Sequence, residues 1–190
     1  MLSVRLAPGR AAQERPRRPR PCVWDSATRT IAGSAMALYR LVEAIVEKAV
    51  VPMWKKQDFV PAAHNPDSMR AVCQVLEGSE WKNRKRVLIF AASADKDVRS
   101  MMSIIVPHLD EVVLTRFLGN PRSVPVAQLQ EMAADILKDS ESTPVIYGEE
   151  SPKEALSQAR RLAGEKDLIC ITGSIFLAAE VRGLLKAQMP

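Results

Sequence analysis

Charged and hydroxyl side chains follow three strand-like segments of this 190-residue sequence. Lys96 comes shortly after the run RVLIFAA, Arg116 lies near the end of the run EVVLTRF, and Ser174 follows the run DLICIT after one glycine. Lysine and arginine side chains bind carboxylates and phosphates, and a serine at a helix start offers them a hydroxyl and a backbone amide. These residues therefore predict a binding site for an anionic substrate.

Three more polar residues belong to the same candidate site. Asp97 follows Lys96, and Asn120 and Arg122 flank Pro121 in a loop. Each candidate also has an ordinary structural alternative, because Asp97 and Ser174 can cap helices and Arg122 can be a solvated loop residue.

Several catalytic motifs are absent from the sequence. It has no GxxxxGK[ST] or GxGxxG phosphate-binding loop, no GxSxG nucleophile motif and no HExxH zinc motif. This absence argues strongly against an NAD-dependent dehydrogenase and equally against a free-standing P-loop ATPase. Any catalysis that needs ATP must borrow a phosphate-binding loop from elsewhere.

From residue 65 onward, helix-like and strand-like segments alternate. The helix-like segments span residues 65–78, 96–109, 125–137, 151–163 and 174–186, and the strand-like segments span residues 86–92, 111–117, 143–147 and 167–172. Such alternation predicts a Rossmann-like α/β fold, a mostly parallel sheet flanked by helices. Ligands of this fold bind outside the carboxyl ends of the strands, which is where the candidate residues lie.

The length and the 47% hydrophobic residues predict a single domain over residues 21–190, and the charge distribution predicts an irregular, disordered basic tail of residues 1–20. The whole net charge of +5 lies in the tail, since the remaining residues carry equal numbers of acids and bases. A domain without a basic excess argues against DNA or RNA binding.

The sequence also bears on where the protein is located. No apolar run nears the ~20 residues of a membrane span. Three scattered cysteines fit a protein in a reducing compartment, so we expect a cytoplasmic protein. An organelle transit peptide is the alternative for the tail.

Several segments, taken in order, resemble the carboxy-terminal domain of folylpolyglutamate synthase/dihydrofolate synthase, a branch of the Mur ligase superfamily. They are AAHNPD at residues 62–67, RVLIFAASADKD at 86–97, LTR at 114–116, NPRSVP at 120–125 and DLICITGSIFLAAEVR at 167–182. Each motif is short, but their order and their positions on alternating strands and helices are specific to this family.

The resemblance implies roles for individual residues. His64 and Asn65 would lie on the nucleotide side of the site, although a histidine before an Asn-Pro helix start can also just cap the turn. Ser174 would bind the incoming L-glutamate, with Arg116 and Lys96 as charge partners. Asp97, Asn120 and Arg122 would complete the glutamate site.

The resemblance also implies an activity: ATP-dependent addition of L-glutamate to folate or dihydropteroate. Mg²⁺ and ATP would be held mainly by a P-loop ATPase domain, in cis or in trans, and we expect this chain to be inactive without it. The alternative is a non-catalytic Rossmann-like binding or regulatory module that kept the fold and lost the reaction.

The histidine loop departs from the family pattern, which has an aspartate where this sequence has Pro61. A partial second copy of the unit, PGR at residues 8–10 and CVWDSA at 22–27 with a helix-like segment at 34–50, keeps that aspartate as Asp25. Chance similarity is the alternative for this copy. If it is real, residues 51–63 are a linker or insertion, and we expect weakened nucleotide contact at this corner.

Overall fold

The structure, a computed structural model, describes residues 58–78, 81, 83–138 and 140–187. Its strands are β1 (Asp58–Phe59), β2 (Arg86–Phe90), β3 (Glu111–Leu114), β4 (Val145–Gly148) and β5 (Leu168–Thr172). Its helices are α1 (Pro66–Gly78), α2 (Val98–Ile105), α3 (Val126–Lys138), α4 (Pro152–Leu162) and α5 (Ile175–Ala187), and a 3-10 turn, Val106–His108, follows α2.

The strands of the described residues form one parallel sheet in the order β1-β5-β2-β3-β4. Leu88 of β2 lies opposite Cys170 of β5 on one side and Val112 of β3 on the other. Every residue of β2 and β5 is buried. Strands covered on both faces need apolar side chains in both directions, which explains the nearly unbroken apolar runs in these two segments.

Helices cover both faces of the sheet. Leu88 and Phe90 of β2 point to one face and share a core with Met69 of α1 and Met101 of α2. Successive side chains of a strand alternate between faces. Ile89 therefore points the other way, where α4 packs against β2 and β3 and α5 packs against β5. This three-layer arrangement leaves the ends of the strands as the open edges of the fold.

The Rossmann-like α/β fold predicted from the sequence is confirmed, with one strand more than expected. β1 lies within residues 51–63, the segment that would be a linker or insertion if the second copy of the unit is real. A strand of two residues is too short to show a periodic pattern in the sequence. It forms because its residues pair with Ile169 and Cys170 of β5. Asp25, the basic tail and the helix-like segment at 34–50 lie outside the described residues and stay predictions.

Helix lengths differ from the sequence estimate mainly at α2, which is shorter than the expected span of 96–109. Asp97 caps its start, and Pro107 lies in the 3-10 turn that follows its end. Within the described part of the chain, no helix has the length and apolar character needed to cross a membrane.

Candidate functional site

The loops after β2 and β3 are joined at the carboxyl edge of the sheet. The amide of Ala94 donates to the carbonyl of Arg122 at 2.8 Å, and the amide of Val124 donates to the carbonyl of Ala92 at 3.0 Å. Ser93 and Ser123 form an antiparallel bridge between these bonds. The ADKD and NPR segments, separate in sequence, therefore form one surface.

Lys96, Asn120 and Arg122 come together on that surface around Asp95. The Asp95 Oδ2 atom lies 3.3 Å from Lys96 Nζ and 3.8 Å from an Arg122 guanidinium nitrogen. Asn120 Oδ1 accepts from the Arg122 amide at 3.0 Å and from its Nε at 3.4 Å. Desolvation opposes ionisation of Asp95, but the Lys96 hydrogen bond and the charges of Lys96 and Arg122 keep its pKa below the ordinary value. With two cations sharing one carboxylate, the cluster retains a positive charge.

Arg122 also connects this cluster to the start of α5. Its guanidinium carbon lies 5.9 Å from the centre of the Phe176 ring, and that ring lies 5.3 Å from the Phe117 ring. Phe176 is two residues beyond Ser174. The cation cluster and the Ser174 turn are therefore neighbours at one edge. Phe176 is not among the site residues predicted from the sequence, although its position close behind the TGS turn was an available signal.

The Arg116 side chain pairs with Glu150 and not with the Lys96–Arg122 cluster. Its Nε lies 3.1 Å from Glu150 Oε2 and donates to the Glu150 carbonyl at 3.4 Å, at the edge beside β4. Both side chains are exposed, so solvent screens this pair strongly. Arg116 follows β3 as expected, but its contacts place it with Glu150 rather than with Lys96 and Arg122.

Asp97 and Ser174 act as helix caps, the structural alternative given for each. Asp97 accepts from the Ser100 amide at 3.1 Å at the start of α2, and these hydrogen bonds from Ser100 lower the pKa of Asp97. Ser174 is buried, and its Oγ accepts from the Phe176 amide at 3.1 Å. That bond uses an oxygen lone pair, so the Ser174 hydroxyl proton can still be donated to a carboxylate. A binding role for either residue stays a prediction.

The AHNP loop is bonded to the TGS turn. The amide of Gly173 donates to the Ala63 carbonyl at 3.0 Å, and the Thr172 hydroxyl lies 3.0 Å from the Pro61 carbonyl. Gly173 has φ +106°, and a side chain there would meet the Ala91 carbonyl and the Phe90 ring. Only glycine fits this turn without strain. Pro61 contributes its carbonyl to the link but lacks the carboxylate that the family pattern has there.

The Asn65 side chain is used in a helix cap, whereas the His64 ring has only one of its two nitrogens in a local hydrogen bond. Asn65 Oδ1 accepts from the Ser68 amide at 2.9 Å and so caps α1. His64 Nδ1 lies 2.9 Å from the Ala62 carbonyl, which can only accept, so Nδ1 carries the proton in this bond. In the neutral ring the Nε2 lone pair is then left to accept a hydrogen bond from a ligand.

The hydroxyl of Thr115, at the end of β3, was missed by the sequence analysis. It is fully buried and has no hydrogen-bond partner among the described residues. Thr115 lies in the LTR segment at 114–116, but nothing in that segment indicates that its hydroxyl is buried without a partner. The described residues also contain no cluster of three or more His, Cys, Asp or Glu side chains that could hold a metal ion.

The sequence matches the family model described as Mur ligase, glutamate ligase domain over residues 54–175, from just before β1 to the first residue of α5. The chain belongs to this family. The resemblance drawn from the motifs is thereby confirmed, and the Mur ligase domain starts within residues 51–63. Asp25 lies outside the matched range.

Two groups of curated relatives are similar to this Mur ligase domain. A dihydrofolate synthase/folylpolyglutamate synthase of Mycobacterium tuberculosis is 30% identical over 139 residues, covering 66% of this chain and 27% of that protein. A UDP-N-acetylmuramoyl-L-alanyl-D-glutamate--2,6-diaminopimelate ligase of Chlamydia abortus is 25% identical over 118 residues, covering 60% and 23%. The chain thus spans about a quarter of the length of these relatives.

Solved structures give the same result. Mycobacterium tuberculosis folylpolyglutamate synthase, complexed with ADP and AMPPCP, matches with a TM-score of 0.59 and 29% identity, covering 67% of this chain and 29% of that one. E. coli FolC in complex with ADP matches with a TM-score of 0.62 over 73% and 31%, but its 19% identity supports the fold alone. The fold of this Mur ligase domain is therefore similar to that of the corresponding part of folylpolyglutamate synthases.

Proposed function

We propose that this chain is the glutamate-side domain of a ligase that adds L-glutamate to folate or dihydropteroate. The observation that supports it best is the junction of the AHNP loop and the TGS turn through Gly173 and Ala63. Around this junction lie a histidine with a free acceptor, a buried serine at a helix start and the Lys96–Arg122 cluster. The arrangement suits a reaction with an anionic amino acid on one side and a nucleotide on the other.

In the proposed reaction, a carboxylate of the folate substrate is activated as an acyl phosphate. Mg-ATP, held mainly by a P-loop ATPase domain in cis or in trans, supplies the phosphoryl group. The amine of L-glutamate forms the new C–N bond, the C–O bond to phosphate breaks, and the amine loses a proton. This chain closes over the acyl phosphate, orients the amine and excludes water that would hydrolyse it.

Ser174 and the Lys96–Arg122 cluster are the proposed binding groups for L-glutamate. The start of α5 and the Ser174 hydroxyl bind one carboxylate, since a helix start favours a negative charge; the Phe176 amide is not part of this contact because it donates to Ser174 Oγ. Lys96 and Arg122 attract the other carboxylate, and Asn120 holds the Arg122 side chain through Oδ1. Asp97 supports this surface by capping α2.

His64 is the proposed contact with the nucleotide, through Nε2, and Asn65 holds the loop in place by capping α1. Pro61 cannot orient a water or a metal ligand as an aspartate would. We therefore expect weak nucleotide binding by this chain alone. Calorimetry of the full chain with Mg-ATP checks this, and tight binding would contradict it.

The second candidate function is that of a binding or regulatory module that has lost the ligase reaction. Pro61 in place of aspartate, and the local capping bonds of Asn65, Asp97 and Ser174, favour a non-catalytic binding or regulatory module. These caps need no ligand to form.

One assay separates the two functions. The full chain is mixed with a separately expressed P-loop ATPase domain of a related ligase, folate or dihydropteroate, Mg-ATP and L-glutamate, and phosphate release is measured. The ligase proposal expects release above that of the ATPase domain alone, dependent on both glutamate and the folate substrate. Release equal to that of the ATPase domain alone would favour the non-catalytic module.

A further inference from the structure

The carboxylate of Glu180, in the middle of α5, binds the backbone of the loop after β3. Its Oε1 accepts from the amides of Leu118 at 2.9 Å and Gly119 at 2.7 Å, and Oε2 lies 3.1 Å from the Leu118 nitrogen. Hydrogen bonds to an ionised acceptor are about twice as strong as neutral ones. Glu180 is thus a strong attachment between α5 and a loop far from it in sequence.

The loop carries Asn120 and Arg122, and its other attachments lie further along the chain. The Arg122 carbonyl and the Val124 amide bond to the loop after β2, and the Phe117 amide donates to Ser123 Oγ at 3.1 Å. The two amides bound by Glu180 form the tip of the loop. Without the carboxylate, that tip keeps its two ends but loses its bonds to α5.

Phe117, just before the tip, packs against Phe176 of α5, but the tip residues themselves are exposed. The Leu118 side chain is 58% exposed. A Cβ atom built on Gly119 would lie 3.1 Å from Glu180 Oε1, so a side chain there would require the carboxylate to shift by a few tenths of an ångström. The loop tip is therefore held by its hydrogen bonds to the carboxylate, and glycine at residue 119 leaves room for that carboxylate.

Glu180 also shares a helix with the residues of the candidate site. Ser174 precedes α5, and Phe176, which contacts Arg122, lies one helical turn before Glu180 and on the same face. The helix thus links Ser174 at its start to the 118–119 tip at its middle. The tip is followed by Asn120, whose Oδ1 accepts from the Arg122 Nε.

We propose that Glu180 is a positioning residue: by binding the amides of Leu118 and Gly119, it holds Asn120 and Arg122 at the spacing from Ser174 that an L-glutamate dicarboxylate requires. This role rests on the proposed function. Since Glu180 acts on the loop and not on the phosphoryl donor, its loss weakens glutamate binding and leaves the turnover of bound substrate nearly unchanged.

The test uses the full chain with the ATPase domain and four variants: Glu180→Ala, Glu180→Gln, Gly119→Ala and the double variant Glu180→Ala/Gly119→Ala. Glu131→Ala, an exposed glutamate in α3, is the matched control. Two quantities are measured: hydrogen exchange of the Leu118 and Gly119 amides, and the KM and kcat for L-glutamate. Circular dichroism of each variant checks that it is folded.

Glu180→Ala is expected to speed exchange of both amides and to raise KM for glutamate roughly tenfold, with kcat within about twofold. Glu180→Gln keeps one side-chain oxygen as an acceptor and should fall between wild type and Glu180→Ala. Gly119→Ala pushes the carboxylate away and should raise KM too, but it should add little in the Glu180→Ala background, because the crowded oxygen is gone.

Faster amide exchange with an unchanged KM would overturn the positioning role while the proposed function stands. Unchanged exchange would overturn the attachment itself. If wild type forms no product with the ATPase domain, the proposed function fails and the positioning role fails with it, a result that the wild-type control distinguishes from both others. Should Glu180→Ala not fold, Glu180→Gln and Gly119→Ala give the same decision.

Discussion

The backbone amide of Gly173 donates a hydrogen bond to the carbonyl oxygen of Ala63, with 3.0 Å between nitrogen and oxygen. This bond connects the turn after β5 to the loop before α1. His64 and Ser174, the next residue on each side, are thereby brought to one corner of the sheet. Gly173 has a positive φ in this turn, a backbone conformation that favours glycine.

Gly173→Ala is expected to lower the free energy of unfolding by at least ~2 kcal/mol, since a non-glycine residue at such a φ costs about 1–3 kcal/mol and the new Cβ meets backbone as well. Urea unfolding measures it. Gly183→Ala is the control: Gly183 lies in α5 with open space around its Cα, so alanine there should stabilise by about 0.5–1 kcal/mol. Equal effects of the two substitutions would contradict this explanation of the turn.

Arg86→Leu is expected to destabilise the fold by about 3 kcal/mol or more, because each buried group left without its partner costs about 1–3 kcal/mol. Arg86 is buried at the opposite edge of the sheet, and its three guanidinium nitrogens donate to the carbonyls of Leu76, Trp81 and His108. Arg86→Lys keeps the charge but not the planar fork, so it should recover only part of the loss. Full recovery by lysine would mean that the charge, and not the fork, stabilises this edge.

The central strands and several caps could be predicted from the sequence because their signals are local. β5 is a short apolar run, and Ser151 before Pro152 starts α4 with a bond from the Glu154 amide, as its sequence indicates. Burial of a continuous apolar run and capping by a nearby serine depend only on neighbouring residues.

The features that could not be predicted depend on contacts between distant residues. β1 has two residues and becomes a strand only beside β5. Arg116 follows its strand as expected but pairs with Glu150, which lies beyond β4. Glu180 lies within a recognised motif, yet its bonds to residues 118 and 119 exist only after α5 has packed. Sequence position identified the edge of the sheet and not which side chains meet there.

The stability contributed by Asp97 is expected to depend on pH. Hydrogen bonds from Ser100 hold the pKa of Asp97 below its ordinary 3.8, so the folded state binds its proton less readily than the unfolded state does. The contribution is therefore full above that ordinary value and is lost as pH falls through the lower folded pKa. Urea unfolding of wild type and Asp97→Asn, which keeps a capping side chain without a titrating group, should show the wild-type advantage shrinking toward acid. A constant difference between the two proteins at all pH values would contradict this.

Arg122→Ala and Arg116→Ala are expected to differ in their effect on glutamate. Arg122 lies with Lys96 at the candidate site, whereas Arg116 pairs with Glu150. A hydrogen bond to a charged group contributes about 1.5–3 kcal/mol, so Arg122→Ala should raise KM for L-glutamate roughly tenfold or more, and Arg116→Ala should change it far less. The phosphate-release assay with the ATPase domain measures the KM for L-glutamate of both variants. A larger rise in KM with Arg116→Ala than with Arg122→Ala would contradict this and would indicate a glutamate site near β4.

Formation of the amide bond is the most direct test of the proposed ligase function. The full chain and a P-loop ATPase domain are incubated with Mg-ATP, the folate substrate and isotopically labelled L-glutamate, and the products are analysed by mass spectrometry. A labelled product one glutamyl residue heavier than the substrate is expected with wild type, and much less of it with Arg122→Ala at limiting glutamate. Phosphate release without any labelled glutamyl product would contradict the proposal.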